Sequence, residues 1–133
     1  VASDGALRQD GVTVLGHRDD VESVLREAAL TINPLTGIRG SAVKLIESLS
    51  AGRICVSTED GARGFAAGRF DALVTVADVA AMAAPIVDLL SDANRRHALE
   101  AADLGRLAEH QWAHCAQRLR ELYQRLVSDG AAQ

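Results

Sequence analysis

The sequence predicts an α/β fold, a parallel sheet with flanking helices, in a single domain over residues 1–133. Two observations carry that class. Short runs rich in β-branched residues alternate with stretches of helical periodicity. Those runs are apolar at successive positions, as strands covered on both faces are. The length, 133 residues, suits one domain, in which folding buries roughly 65–70% of the unfolded chain's surface.

The elements follow in order. VTVL (12–15) reads as the first strand. Gly16 ends it, and a helix starts at Asp19 or Asp20, whose carboxylate can accept from free backbone N–H groups; Val21, Val24, Leu25 and Ala28 repeat at helical spacing. LTIN (30–33) is the second strand and stops at Pro34. A glycine-containing loop runs to Ser41, the expected N-cap of a helix with the apolar stripe Val43, Leu45, Ile46 and Leu49. That helix closes at Gly52, where a positive φ is expected. ICVS (54–57) is the third strand, followed by the polar, glycine-rich TEDGARGFAAGR; Gly61 to Gly68 there is expected to be a mobile loop at the strand ends, with a second phosphate site as the alternative. LVTV (73–76) is the fourth strand. Helices are expected over 78–91, 92–109 and 111–128, with Asp92 capping the second and Pro85 marking a kink or early turn in the first. The opening, VASDGALRQDG, reads as the tail of a helix with no strand before it. One or two strands are therefore expected upstream of Val1.

Composition excludes several classes. Net charge is −4, with no basic footprint for a phosphate backbone, so nucleic acid is not an expected partner. Aromatic residues are scarce, 3% of the chain, which leaves no stacking platform for bases. No apolar run is long enough to span a bilayer, and no secretion signal is visible. Cys55 and Cys115 fall in apolar patterns and read as reduced core thiols of a cytoplasmic protein. His110 and His114 share a helix face, but no third ligand is spaced for a zinc site; they read as solvent or interface histidines near Trp112. Arg95 and Arg96, and Arg118, Arg120 and Arg125, read as solvated helix faces. Contact with an anionic membrane surface or another domain is the alternative for them.

The stretch with chemistry is NPLTGIRGSAVKLIES. Parallel sheets bind ligands at the carboxyl ends of their strands, and here such an end leads through Gly37 and Gly40 into a helix N-terminus. Free N–H groups and the positive end of the helix dipole suit an anion. Lys44 is the sole lysine beside thirteen arginines. It lies three residues before Glu47, so the two share a helix face. An ammonium near phosphates and a carboxylate able to accept from a vicinal diol fit a nucleotide diphosphate. A solvated ion pair, worth about 0.2–0.5 kcal/mol, accounts for the same spacing. The phosphate loop of nucleotide triphosphatases is absent.

PLTGIRGSAVKLIESLSAGRICVSTEDGARGF (34–65) resembles the signature of the retaining, nucleotide-sugar-dependent glycosyltransferases of the GT-B fold, group 1 type. The matching pieces are Pro34, Gly40, Lys44, Glu47, Ser50-Ala51-Gly52, Val56-Ser57-Thr58 and Gly61-Ala62-Arg63-Gly64. Residues 12–35 resemble the preceding strand–helix–strand, and residues 89–126 the closing helices, so the likeness runs from about residue 11 to 127. It implies a Rossmann-like C-terminal, donor-binding half, with an acceptor-binding domain missing upstream and this chain alone inactive. Glu47 would bind the donor's ribose, and Lys44 would lie near the phosphates. The N–H groups of Ile38, Arg39 and Gly40 would face pyrophosphate and sugar, and Gly16, His17 and Arg18 would border the nucleobase. Arg39 stands where many relatives carry a first glutamate, and can add a bidentate phosphate contact. No catalytic side chain and no metal or other cofactor is implied. The expected site is cytoplasmic, at most at the inner face of a membrane. The rival reading is a non-catalytic Rossmann-like module that binds a nucleotide or a protein.

Overall fold

A computed structural model describes residues 9–37, 42–65, 68–103 and 106–130. The elements are α1 (Val21–Glu27), β1 (Thr31–Asn33), α2 (Val43–Ser50), β2 (Cys55–Thr58) and β3 (Leu73–Val76). A 3-10 turn (Ala80–Met82) then leads into α3 (Ala83–Ser91). After α4 (Ala93–Ala102) a second 3-10 segment (Arg106–His110) precedes α5 (Trp112–Gly130). The sheet order is β1-β2-β3. Both pairings are parallel, Ile32 opposite Val56 and Val56 opposite Val74. The α/β class is as the sequence predicts, and the reason is visible in β2: Cys55, Val56, Ser57 and Thr58 are all buried.

The strand expected at Val12–Leu15 is not formed. Val12, Val14 and Leu15 are exposed, and the segment pairs with no strand among the described residues. A β-prone run becomes a strand only when a neighbour takes its N–H and C=O groups. Among the described residues β1 is an edge strand, with only β2 beside it, and on its face Ile32 is 56% exposed.

Helix α1 begins as expected: the Asp20 carboxylate accepts from Ser23 N–H at 2.9 Å. That bond, and a further one with the Ser23 side chain, hold the Asp20 carboxyl below its ordinary range. In α2 the burial follows the helical repeat: Leu45 and Leu49, four apart, are buried, whereas Val43 is exposed on the far side. A fully buried leucine contributes about 1.5–3 kcal/mol. The N-cap position of α2 is Ala42, with no side-chain bond to the first turn; the expected cap, Ser41, lies outside the described residues. Gly52 ends the helix with φ +73°. Leu45 and Leu49 pack with Ile54, Cys55 and Val56 of the sheet and with Phe70, Met82 and Leu89.

The helical second half departs from expectation in its joints. Asp78 caps a 3-10 turn by accepting from Ala81 N–H at 2.9 Å, and Pro85 falls in the first turn of α3, where its missing N–H costs nothing. The Asp92 carboxylate accepts from Arg95 N–H at 2.9 Å and starts α4. The helix expected over 92–109 stops at Ala102, because Asp103 turns back to the sheet. Its buried carboxylate accepts from Asp71 N–H at 3.0 Å and Ala72 N–H at 2.6 Å. Arg106 closes the cluster with Asp71 at 2.9 Å. Arg96, expected on a solvated face, donates to the carbonyls of Leu89 at 2.5 Å and Leu90 at 3.0 Å, satisfying the open end of α3.

Cys55 is a core thiol as expected, whereas the expectations for Cys115 and His110 are corrected. Cys55 is buried, and burial pushes its thiol pKa up. Cys115 is exposed, because α5 turns no face into the core: Trp112 is 91% exposed, and Leu119, Leu122 and Leu126 are exposed too. His110, near Trp112 as expected, is not in solvent: its ring packs 5.6 Å from those of Phe65 and Phe70. Among the described residues no helix is long and apolar enough to cross a membrane.

Candidate functional site

The candidate site begins where β1 ends. Asn33 is buried, Pro34 cannot continue the ladder, and the chain turns at Gly37 with φ +61°, a conformation that glycine adopts without steric cost. Ile38, Arg39 and Gly40, the expected anion-facing residues, lie outside the described residues. The chain re-enters as α2. Lys44 and Glu47 are both exposed, and because Leu45 and Leu49 face the core, the 44/47 face looks outward. Among the described residues no ion pair joins Lys44 to Glu47, so the surface ion-pair account of their spacing has no geometry behind it.

Glu47 borders a cleft of about 390 Å³. Val21, Glu22 and Leu25 of α1 form one wall, Ile46 and Ser50 of α2 another, and His110 with Trp112 the third. Glu22 is held by Arg26 at 2.6 Å, whereas no cation among the described residues pairs with Glu47. An open carboxylate on an apolar-walled cleft can accept hydrogen bonds from hydroxyl groups.

Gly16, His17 and Arg18 are exposed and lead into α1. Gly16 has φ +68°, and His17 Nδ1 lies 3.7 Å from the Asp19 carboxylate. Packing of α1 on α2 puts this loop on the element beside Glu47, but no hydrogen bond or ion pair among the described residues links it to Gly37, Lys44 or Glu47. No group of three or more His, Cys, Asp or Glu side chains able to hold a metal ion occurs among the described residues.

A buried polar network connects the loops after β1 and β2. The Asn33 side-chain amide donates to Ser57 Oγ at 3.1 Å and to the Gly61 carbonyl at 3.0 Å. The Thr58 hydroxyl donates to the Leu35 carbonyl and accepts from Gly61 N–H at 3.0 Å. Asp60 Oδ2 accepts from Gly37 N–H at 2.8 Å. Gly61 and Ala62 are buried, and Ala62 N–H donates to the Thr58 carbonyl at 2.9 Å. The start of the segment read as a mobile loop is thus a packed turn. Sequence reasoning met Ser57, Thr58 and Gly61 as pieces of a pattern and gave Asp60 no role. The available signal was a polar residue at each strand end, Asn33 and Thr58, followed by Asp-Gly.

The family profile of Glycosyl transferases group 1 matches residues 2–92. It spans the expected strand at 12–15, β1, α2, β2, β3 and α3, and ends before α4. No curated protein and no solved structure matches the chain. With a parallel α/β sheet, a glycine turn at a strand's carboxyl end and more than half of its length inside that profile, the chain belongs to the group 1 glycosyl transferases.

Proposed function

We propose that the chain is the C-terminal, donor-binding half of a retaining GT-B glycosyltransferase, which moves a sugar from a nucleotide diphosphate sugar to an acceptor. The observation that carries this is the run from the Gly37 turn into α2, where Lys44 and Glu47 stand on one outward face and Glu47 opens on a cleft. In this reading Lys44 meets the diphosphate as a compact point charge and Glu47 accepts from the ribose hydroxyls. Ile38, Arg39 and Gly40 supply N–H groups to pyrophosphate and sugar, and Gly16, His17 and Arg18 border the base. No catalytic side chain or metal is assigned.

The acceptor domain and further strands belong to preceding sequence. Among the described residues β1 is an edge strand and Val12–Leu15 pairs with no strand, which suits a sheet that continues beyond β1. The chain alone is then inactive in transfer. The protein works in the cytoplasm, and the arginines of α5 suit contact with the inner face of a membrane.

Titration of UDP, GDP and ADP, followed by calorimetry and amide shifts, tests the donor site. One of them is expected to bind and to shift the amides of Gly16–Arg18 and Ile38–Glu47. Glu47→Ala is expected to weaken that binding about 10-fold or more, the loss of a charged hydrogen-bond acceptor being worth about 1.5–3 kcal/mol. Binding of none of the three overturns the donor reading. Transfer by the longer protein that survives Glu47→Ala favours the non-catalytic module instead.

A further inference from the structure

The network between the two strand-end loops is directed at one short segment. Thr58, the last residue of β2, is 1% exposed, yet its hydroxyl donates outside its own strand, to the Leu35 carbonyl. Two residues on, the exposed Asp60 carboxylate takes the Gly37 N–H at 2.8 Å. Leu35 and Gly37 are therefore gripped from the same neighbouring turn, one by its C=O and the other by its N–H. That turn is itself anchored: Gly61 N–H donates to Thr58 Oγ1 at 3.0 Å, and its carbonyl accepts from Asn33 at 3.0 Å.

Two backbone groups on either side of Thr36 are thus held in place as the chain leaves β1. A set of N–H groups binds an anion well when its orientation is fixed before the anion arrives, since ordering the loop then costs nothing at the binding step. The Asp60 contact is poorly explained by general stability. An exposed carboxylate contributes little to the core, and a negative charge close to a diphosphate opposes its binding.

We propose, resting on the donor-binding reading above, that Thr58 and Asp60 are positioning residues for the diphosphate loop. They act through Leu35 and Gly37 and do not touch the ligand. The roles separate in paired variants. Thr58→Ser keeps the hydroxyl and Thr58→Val removes it. Asp60→Asn and Asp60→Ala are equal in charge, but only the first keeps a side-chain oxygen for Gly37 N–H.

The experiment titrates the 133-residue chain and each variant with UDP, GDP and ADP and with the matching nucleosides, alongside thermal unfolding. Thr58→Val is expected to bind the preferred diphosphate at least tenfold more weakly than Thr58→Ser, and Asp60→Ala at least threefold more weakly than Asp60→Asn. Nucleoside affinity is expected to be unchanged within each pair, a pattern that general loosening of the fold does not produce. Equal diphosphate affinity within the Asp60 pair overturns the proposal while leaving the donor reading intact. That pair also decides the matter if Thr58→Val fails to fold, because Asp60 is exposed. If the wild-type chain binds none of the three diphosphates, the donor reading falls and the proposal falls with it.

Discussion

Gly61 shows how closely the two loops meet. A Cβ there would lie 2.7 Å from Ser57 Oγ, 2.8 Å from Asn33 Nδ2 and 2.9 Å from the Asn33 carbonyl. Those atoms belong to the buried network and cannot move aside without breaking its hydrogen bonds. Gly61→Ala is expected to destabilise the chain by about 1–3 kcal/mol through overpacking, read as a lower urea midpoint; an unchanged midpoint would contradict the geometry. Lys44 is the complementary case, an exposed residue. As the one lysine among thirteen arginines, it offers an anion a compact ammonium where arginine would offer a planar fork. Its neighbour Glu47 was legible as a candidate from spacing. Thr58 and Asp60 were not, because their partners, Leu35 and Gly37, are more than twenty residues away in the chain.

Among the elements, α1 has little hold on the core. None of its residues is buried, so its start depends on the Asp20 cap. Hydrogen bonds from Ser23 hold the Asp20 carboxyl below its ordinary value of about 3.9. A depressed folded-state value means that the unfolded chain binds the proton more tightly. The cap's contribution is therefore complete above about pH 4 and is lost as pH falls through the depressed value. Amide exchange is expected to show α1 losing protection at that point while β2 remains protected. Asp20→Asn, which still accepts from the helix N–H groups, is expected to remove this acid dependence; its persistence in that variant would assign it elsewhere. The same dependence on partners explains Val12–Leu15. Its residues are as β-prone as those of β3, but β3 has β2 beside it and Val12–Leu15 has no partner strand among the described residues.

For the whole molecule, Asp103 joins the helical half to the sheet. From the end of α4 its carboxylate accepts the N–H groups of Asp71 and Ala72, which lead into β3. Asp103→Ala would leave two backbone donors without their partner, one of them buried, and is expected to cost about 2–4 kcal/mol. Chemical denaturation should show the loss as one cooperative transition; a loss confined to α4 and α5 would mean that the contact does not couple the two halves. In the sequence Asp103 sits inside a helical pattern, which is why 92–109 reads as one helix.

Local chemistry in the sequence determined the α/β class, the three strands of the sheet, the caps at Asp20 and Asp92, the turn at Gly52 and the candidacy of Lys44 and Glu47. Each depends on periodicity, branching or capping within a few residues, and such terms act the same way wherever the segment lies. The tertiary structure alone decided that Val12–Leu15 pairs with no strand among the described residues, that Cys115 and the apolar stripe of α5 face outward, and that His110 packs on two phenylalanines. It also decided that the turn after β2 grips the loop after β1. These outcomes depend on which segments become neighbours in space, and hydrogen bonds across more than twenty residues leave no periodic trace in the chain.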